Sequence, residues 1–143
     1  RTCEQQSAAF LRVAALAPRF TLELKSSERV GAHTRLEIRI ASHGYLGTGG
    51  LPSAHSLPLS EPLRLTHAGQ GVRVLAPQTA VIEIGHLEGW GNGLHGGPGI
   101  FAPWTRGNGH ERFVTLLVEG QGTLTVHAGS SRVGHQSLKV EIS

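Results

Sequence analysis

The densest group of residues able to do chemistry is Gly85-His86-Leu87-Glu88-Gly89-Trp90-Gly91-Asn92-Gly93-Leu94-His95. Neutral imidazole and carboxylate are ordinary zinc ligands, which makes His86, Glu88 and His95 the candidate metal set. His86 and Glu88 keep the parity of Ile82 and Ile84 and would share a face if that strand ran on. No established zinc signature fits, however. There is no His-Glu-x-x-His helix, the His-x-Glu lacks a downstream Pro-Cys-x-x-Cys, and the His-x-His of cupins is missing. A histidine at the rim of a sheet with an ordinary hydrogen-bond partner, beside a solvated glutamate, accounts for the same pattern, and no metal is expected here.

Nucleophilic catalysis fares no better. Serines and histidines are plentiful, but the Gly-x-Ser-x-Gly turn does not occur and the chain contains no Asp, on which Ser-His-Asp triads, aspartic dyads and EF-hand loops depend. Cys3 is a single thiol, so it forms no internal disulfide and does not report a compartment. No catalytic residue is assigned. The aromatics offer a different chemistry: Tyr45, Trp90 and Trp104 lie in Gly-rich stretches, where exposed rings could stack on a sugar or a partner chain and inward-turned rings would plug the end of a sheet.

Composition narrows the partners. The 143 residues carry 13 Lys and Arg against 10 acidic residues, a net charge of +3. The basic residues are scattered singly, as in Arg35-Leu36-Glu37-Ile38-Arg39, rather than clustered on one face, so nucleic acid is not an expected partner. No apolar run approaches the roughly 20 residues of a membrane span, and no signal peptide is evident, so no membrane partner is expected either. There is no Met at position 1 or elsewhere, which reads as a piece of a longer polypeptide.

The elements that must position these residues are mostly strands. Glu4 to Leu16 reads as a helix stopped by Pro18, with Phe10, Leu11, Ala14 and Ala15 as its apolar stripe. From Phe20 onward the period is two, clearest in Leu36, Ile38 and Ile40 against Arg35, Glu37 and Arg39. The alternation recurs at Leu22 and Leu24, Leu63 and Leu65, Val72 and Val74, Ile82 and Ile84, Leu124 and Val126, and Leu138, Val140 and Ile142. Phe113 to Val118 is nearly all apolar, as in a central strand covered on both faces.

With Gly120-Gln121-Gly122 taken as a tight connection, these segments predict an all-β, antiparallel β-sandwich of about eight strands with a short N-terminal helix. Residues 1–18 are the helical leader and residues 19–143 the β domain. Ser42 to Leu59 and Gly85 to Gly109 interrupt the pattern; the second holds nine Gly. Loops this long are uncommon inside a compact domain and commonly carry function.

Cys3-Glu4-Gln5-Gln6-Ser7-Ala8-Ala9-Phe10, Ser42-His43-Gly44-Tyr45-Leu46-Gly47-Thr48 and Gly85-His86-Leu87-Glu88-Gly89, together with Gly122 to Ala128 and Arg132-Val133-Gly134, resemble the C-terminal β-sandwich of bacterial zinc carboxypeptidases of the carboxypeptidase A-like family. His43 stands where that family usually has Thr, and Gly47 where it usually has Pro. The resemblance implies a non-catalytic accessory domain that packs on an upstream catalytic domain of the same chain and assists substrate or partner binding. Zinc would belong to that catalytic domain, because its His-x-x-Glu signature is absent here and no catalytic residue carries over. The alternative is a free-standing module binding carbohydrate or protein, a glycan or peptide, through Tyr45, Trp90 and Trp104.

Overall fold

A computed structural model of the protein describes residues 2–14, 16–50, 55–58, 60–90 and 108–143. Among the described residues one α-helix, α1 (Thr2–Ala14), precedes six strands: β1 (Phe20–Val30), β2 (His33–Ser42), β3 (Leu63–Ala76), β4 (Val81–Gly85), β5 (Glu111–Ser130) and β6 (Gly134–Ile142). All pairings are antiparallel, so the all-β reading with a short N-terminal helix holds. The hydrogen-bonded path is continuous through one sheet, in the order β1-β2-β5-β3-β4 with β6 also on β5. Among the described residues no helix is long and apolar enough to cross a membrane.

β5, at 20 residues, organises the sheet. It pairs with β2 over residues 111–118, with β3 over 117–129 and with β6 over 122–130. Because β3 overlaps both of the others, β2 and β6 must take successive stretches of the opposite edge. β6 also comes alongside β1: the Gln136 side-chain amide donates to the Phe20 carbonyl at 2.6 Å, and the Arg29 guanidinium to the Ser143 carbonyl at 3.3 Å.

Two expectations are corrected by β5. The stretch Gly120-Gln121-Gly122 is not a connection but lies inside the strand, opposite a second Gly-Gln-Gly at residues 69–71 of β3. Gly71, Gly120 and Gly122 have positive φ values of 75°, 100° and 143°, a conformation that glycine enters without steric penalty. A Cβ on Gly122 would overlap the Gln70 carbonyl oxygen, and one on Gly120 the Gly71 carbonyl oxygen. The two motifs thus interlock where the ladder shifts register between Gln70 and Val72, as at a β-bulge. Each pair of short segments becomes one long strand, and eight segments become six strands.

The second correction concerns Phe113 to Val118. Val114, Leu116 and Val118 are buried, but Phe113 is 48% exposed and Thr115 is exposed, so only one face is covered. The apolar run hides an ordinary alternation in which Phe113 and Leu117 belong to the outer side. The core gathers the inner face of every long strand into one cluster, with Leu36, Ile38, Ile40, Leu63, Leu65, Leu116, Val118, Leu124 and Val126 fully buried. On the outer face Arg39 crosses the strands, 2.7 Å from Glu111 and 3.3 Å from Glu23.

Candidate binding surface

The ends of two interruptions are fastened together. Gly85, with φ of 86°, ends β4 and turns the chain out of the strand direction, so the parity argument that placed His86 and Glu88 on one face does not apply. Instead the chain after β4 runs against the segment after β2. The Thr48 amide donates to the Leu87 carbonyl at 2.8 Å, and the Leu87 amide donates to Thr48 Oγ1 at 2.8 Å. The Trp90 amide donates to the Gly44 carbonyl at 3.1 Å. Thr48 and Leu87 are almost wholly buried, so these bonds are shielded from water and losing one partner strands the other.

Glycine permits this approach. A Cβ at Gly47 would lie 2.6 Å from the Leu87 carbonyl oxygen, and one at Gly89 would overlap the Tyr45 carbonyl. Two further ties complete the end of the sheet. The Arg132 guanidinium, in the turn between β5 and β6, donates to the Gly49 carbonyl at 2.8 Å. The amides of His43 and Leu46 donate to the carbonyls of Arg19 and Leu16, at 2.7 and 3.3 Å, joining the chain that leads from α1.

Of the aromatic candidates, Tyr45 and Trp90 are brought together. Their rings meet edge to face, with centroids 4.5 Å apart and planes at 85°, and Trp90 remains 53% exposed. Trp104 lies outside the described residues. Next to the His43–Arg19 bond, an open cleft of about 360 Å³ runs between the start of β1 and the turn before β6, lined by Phe20, Thr21, His43, Val133 and Gln136. The Thr21 hydroxyl and His43 Nε2 share a hydrogen bond of 2.9 Å at its side.

The metal candidates are not brought together where they can be seen. His86 Nε2 lies 3.0 Å from Ser60 Oγ, and its ring stacks on His55 with centroids 4.2 Å apart. Glu88 meets a different partner: its carboxylate lies over the α-carbon of Gly109, and its amide donates to the Gly109 carbonyl at 2.9 Å. His95 lies outside the described residues, among which no three metal-ligating side chains gather. The parallel stacking of His55 on His86 also argues against a shared ion, because a metal must lie close to the plane of each imidazole that binds it. Burial holds the His86 imidazole below its ordinary range, helped by the positive fields of His55 and Arg132 and opposed by Glu83.

Sequence patterns pointed to both segments but missed the residues that join them. Thr48, Ser60, His55 and Arg132 sit in irregular stretches, and no periodicity marks a residue whose partner is 26 or 39 positions away. The available signals were the high density of glycine at 44–50 and 85–91, which permits two backbones to touch, and the resembling stretches that contain Thr48 and Arg132. No curated protein and no solved structure matches the chain. A family model does match residues 19–141, and the chain belongs to that family, described as a domain of unknown function, DUF8731.

Proposed function

We propose that residues 1–143 form a non-catalytic accessory domain of a zinc metallocarboxypeptidase, following its catalytic domain and packing on it. One observation carries the reading. Three stretches in which the sequence resembles such tail domains, 42–48, 85–89 and 132–134, are far apart in the chain yet adjoin at one end of the sheet, through Thr48 with Leu87 and through Arg132 with Gly49. Three of the five resembling stretches thus contribute to one piece of structure, as they would in a shared domain. The helix adds support: Phe10 and Leu11 on α1 are 73% and 64% exposed, an apolar side available to an upstream domain.

In this reading zinc belongs to the upstream domain, where it would polarise the scissile carbonyl and activate water. This chain would supply no ligand to it, since the His-x-x-Glu signature is absent from its sequence. Its task is to brace the catalytic domain and border its substrate path. Truncating the whole polypeptide before Arg1 should lower its thermal stability or change its preference among peptide substrates while leaving bound zinc in place. A truncated enzyme with unchanged stability and unchanged substrate preference refutes the proposal.

A second reading, a free-standing module for glycan or peptide, is favoured by the exposed ring of Trp90 against Tyr45. Titration with a panel of oligosaccharides and peptides, followed by Trp fluorescence, tests it. Quenching or a blue shift that disappears in Trp90→Ala supports it, and a flat response across the panel removes it.

A further inference from the structure

Gly49, His55 and Ser60 all adjoin His86. His55, in a single helical turn, stacks on His86. Ser60 bonds His86 Nε2. Between them the backbone at Gly49 passes close to both rings: a Cβ there would lie 2.7 Å from His86 Nδ1 and would overlap His55 Nε2. His86 Nδ1 is shielded from solvent and has no hydrogen-bond partner among the described residues. One imidazole therefore meets Gly49, His55 and Ser60 together.

We propose that His55, His86 and Ser60 form a proton-released clasp, closed while His86 is neutral and opened when it takes up a proton. The groups facing His86 are His55 from the helical turn, Ser60 beyond it, Arg132 from the β5–β6 turn and Glu83 from β4. His55 and Arg132 are cations or potential cations, and Glu83 is the one carboxylate in the set. Protonation would place a charge beside them and make both ring nitrogens donors, whereas among the described residues Nδ1 has no acceptor. The charge is relieved if the ring of His55, which is exposed, unstacks into water.

The tie is next to the candidate binding surface. Thr48 precedes Gly49, and Leu87 follows His86, so loss of the clasp loosens the Thr48–Leu87 bonds and with them the mounting of Tyr45 and Trp90. Acidification would in this way change the shape of the loop end without unfolding the sheet. The clasp does not depend on the accessory-domain reading and would operate equally in a free-standing module.

The sign follows from the direction of the shift. A histidine whose closed-state pKa is depressed contributes closing free energy above its ordinary value of 6.5, and that contribution is lost as pH falls through the depressed value. Two measurements on the intact chain test this: the His86 ring titration by NMR, and amide exchange at Thr48 and Gly49 between pH 8 and pH 4.5, corrected for the intrinsic rate. His86 should titrate below 6.5. Its amide neighbours should open more at low pH by a factor equal to the antilogarithm of the difference between 6.5 and the measured midpoint, tenfold for each unit.

Two variants bear on the same point. H55Q removes a cationic neighbour and should raise the His86 midpoint, and E83Q should lower it. A His86 midpoint at or above 6.5, or amide protection at Thr48 that does not change with pH, overturns the proposal. H86Q should abolish the pH dependence of Thr48 exchange; if that variant fails to fold, the H55Q and E83Q midpoints still decide, and no movement in either refutes the clasp.

Discussion

Thr48→Val isolates the bond on which the loop end depends. Valine keeps the branched shape and the buried methyl of threonine but removes the oxygen that accepts the Leu87 amide at 2.8 Å. Thr48 is 1% exposed and Leu87 1%, so water cannot take over the stranded N–H without opening the loops. A buried donor left unpaired costs about 1–3 kcal/mol, and the backbone bond from the Thr48 amide to the Leu87 carbonyl remains to hold the segment in place. In a domain near this size each kcal/mol lowers Tm by roughly 2–4 °C. Urea unfolding at pH 7.5 should therefore give a lower midpoint at unchanged slope, the mark of lost stability rather than a changed denatured state. Thr48→Ser, which keeps the acceptor, should lose less than Thr48→Val. Equal losses for the two, or a Thr48→Val loss below about 0.5 kcal/mol, would refute the assignment of Thr48 as the buried tie.

The other tests address the sheet and its surface charges. Gly122→Ala should destabilise more than Gly31→Ala: both positions have positive φ, worth about 1–2 kcal/mol against alanine, but Gly31 faces open space whereas a Cβ at Gly122 meets the Gln70 carbonyl. Leu116→Ala, at a fully buried position, should cost about 2–5 kcal/mol, and Phe113→Ala, half-exposed on the neighbouring outer face, clearly less, as read by denaturant midpoints. Glu111 is held below the ordinary carboxylate value by its hydrogen bond with Arg39, and Glu61 by its bonds with Ser131. Both contribute stability that is present above 4.5 and is lost as pH falls through their lowered values, so the double variant Glu61→Gln/Glu111→Gln should flatten the acid limb of a stability–pH profile.

Much of the scaffold was legible in the chain because strand burial follows residue parity. Leu36, Ile38 and Ile40 against Arg35, Glu37 and Arg39 needed no tertiary information, since a side chain on a strand points to one face or the other by position alone. What misled was glycine. Gly-Gln-Gly at 120–122 has the composition of a turn, yet it crosses a second Gly-Gln-Gly and lets a 20-residue strand continue; only the partner strand distinguishes a bulge from a bend. The candidate site was legible as a region and not as a constellation. The His86 and Glu88 parity argument assumed a strand beyond Gly85, and one positive φ undid it. Tyr45 and Trp90 were identified separately as ring-bearing loop residues, but their contact depends on the Thr48–Leu87 and Trp90–Gly44 bonds, which bridge distant segments and leave no local trace.

The central claim is that this domain serves a zinc carboxypeptidase without containing its chemistry. The most direct measurement is release of C-terminal amino acids from a peptide mixture, by mass spectrometry, comparing the polypeptide that naturally carries residues 1–143 with those residues alone. The account expects chelator-sensitive, zinc-restored trimming by the whole polypeptide and none by residues 1–143. Absence of trimming by the zinc-loaded whole polypeptide, or zinc-dependent trimming by residues 1–143 alone, would contradict it.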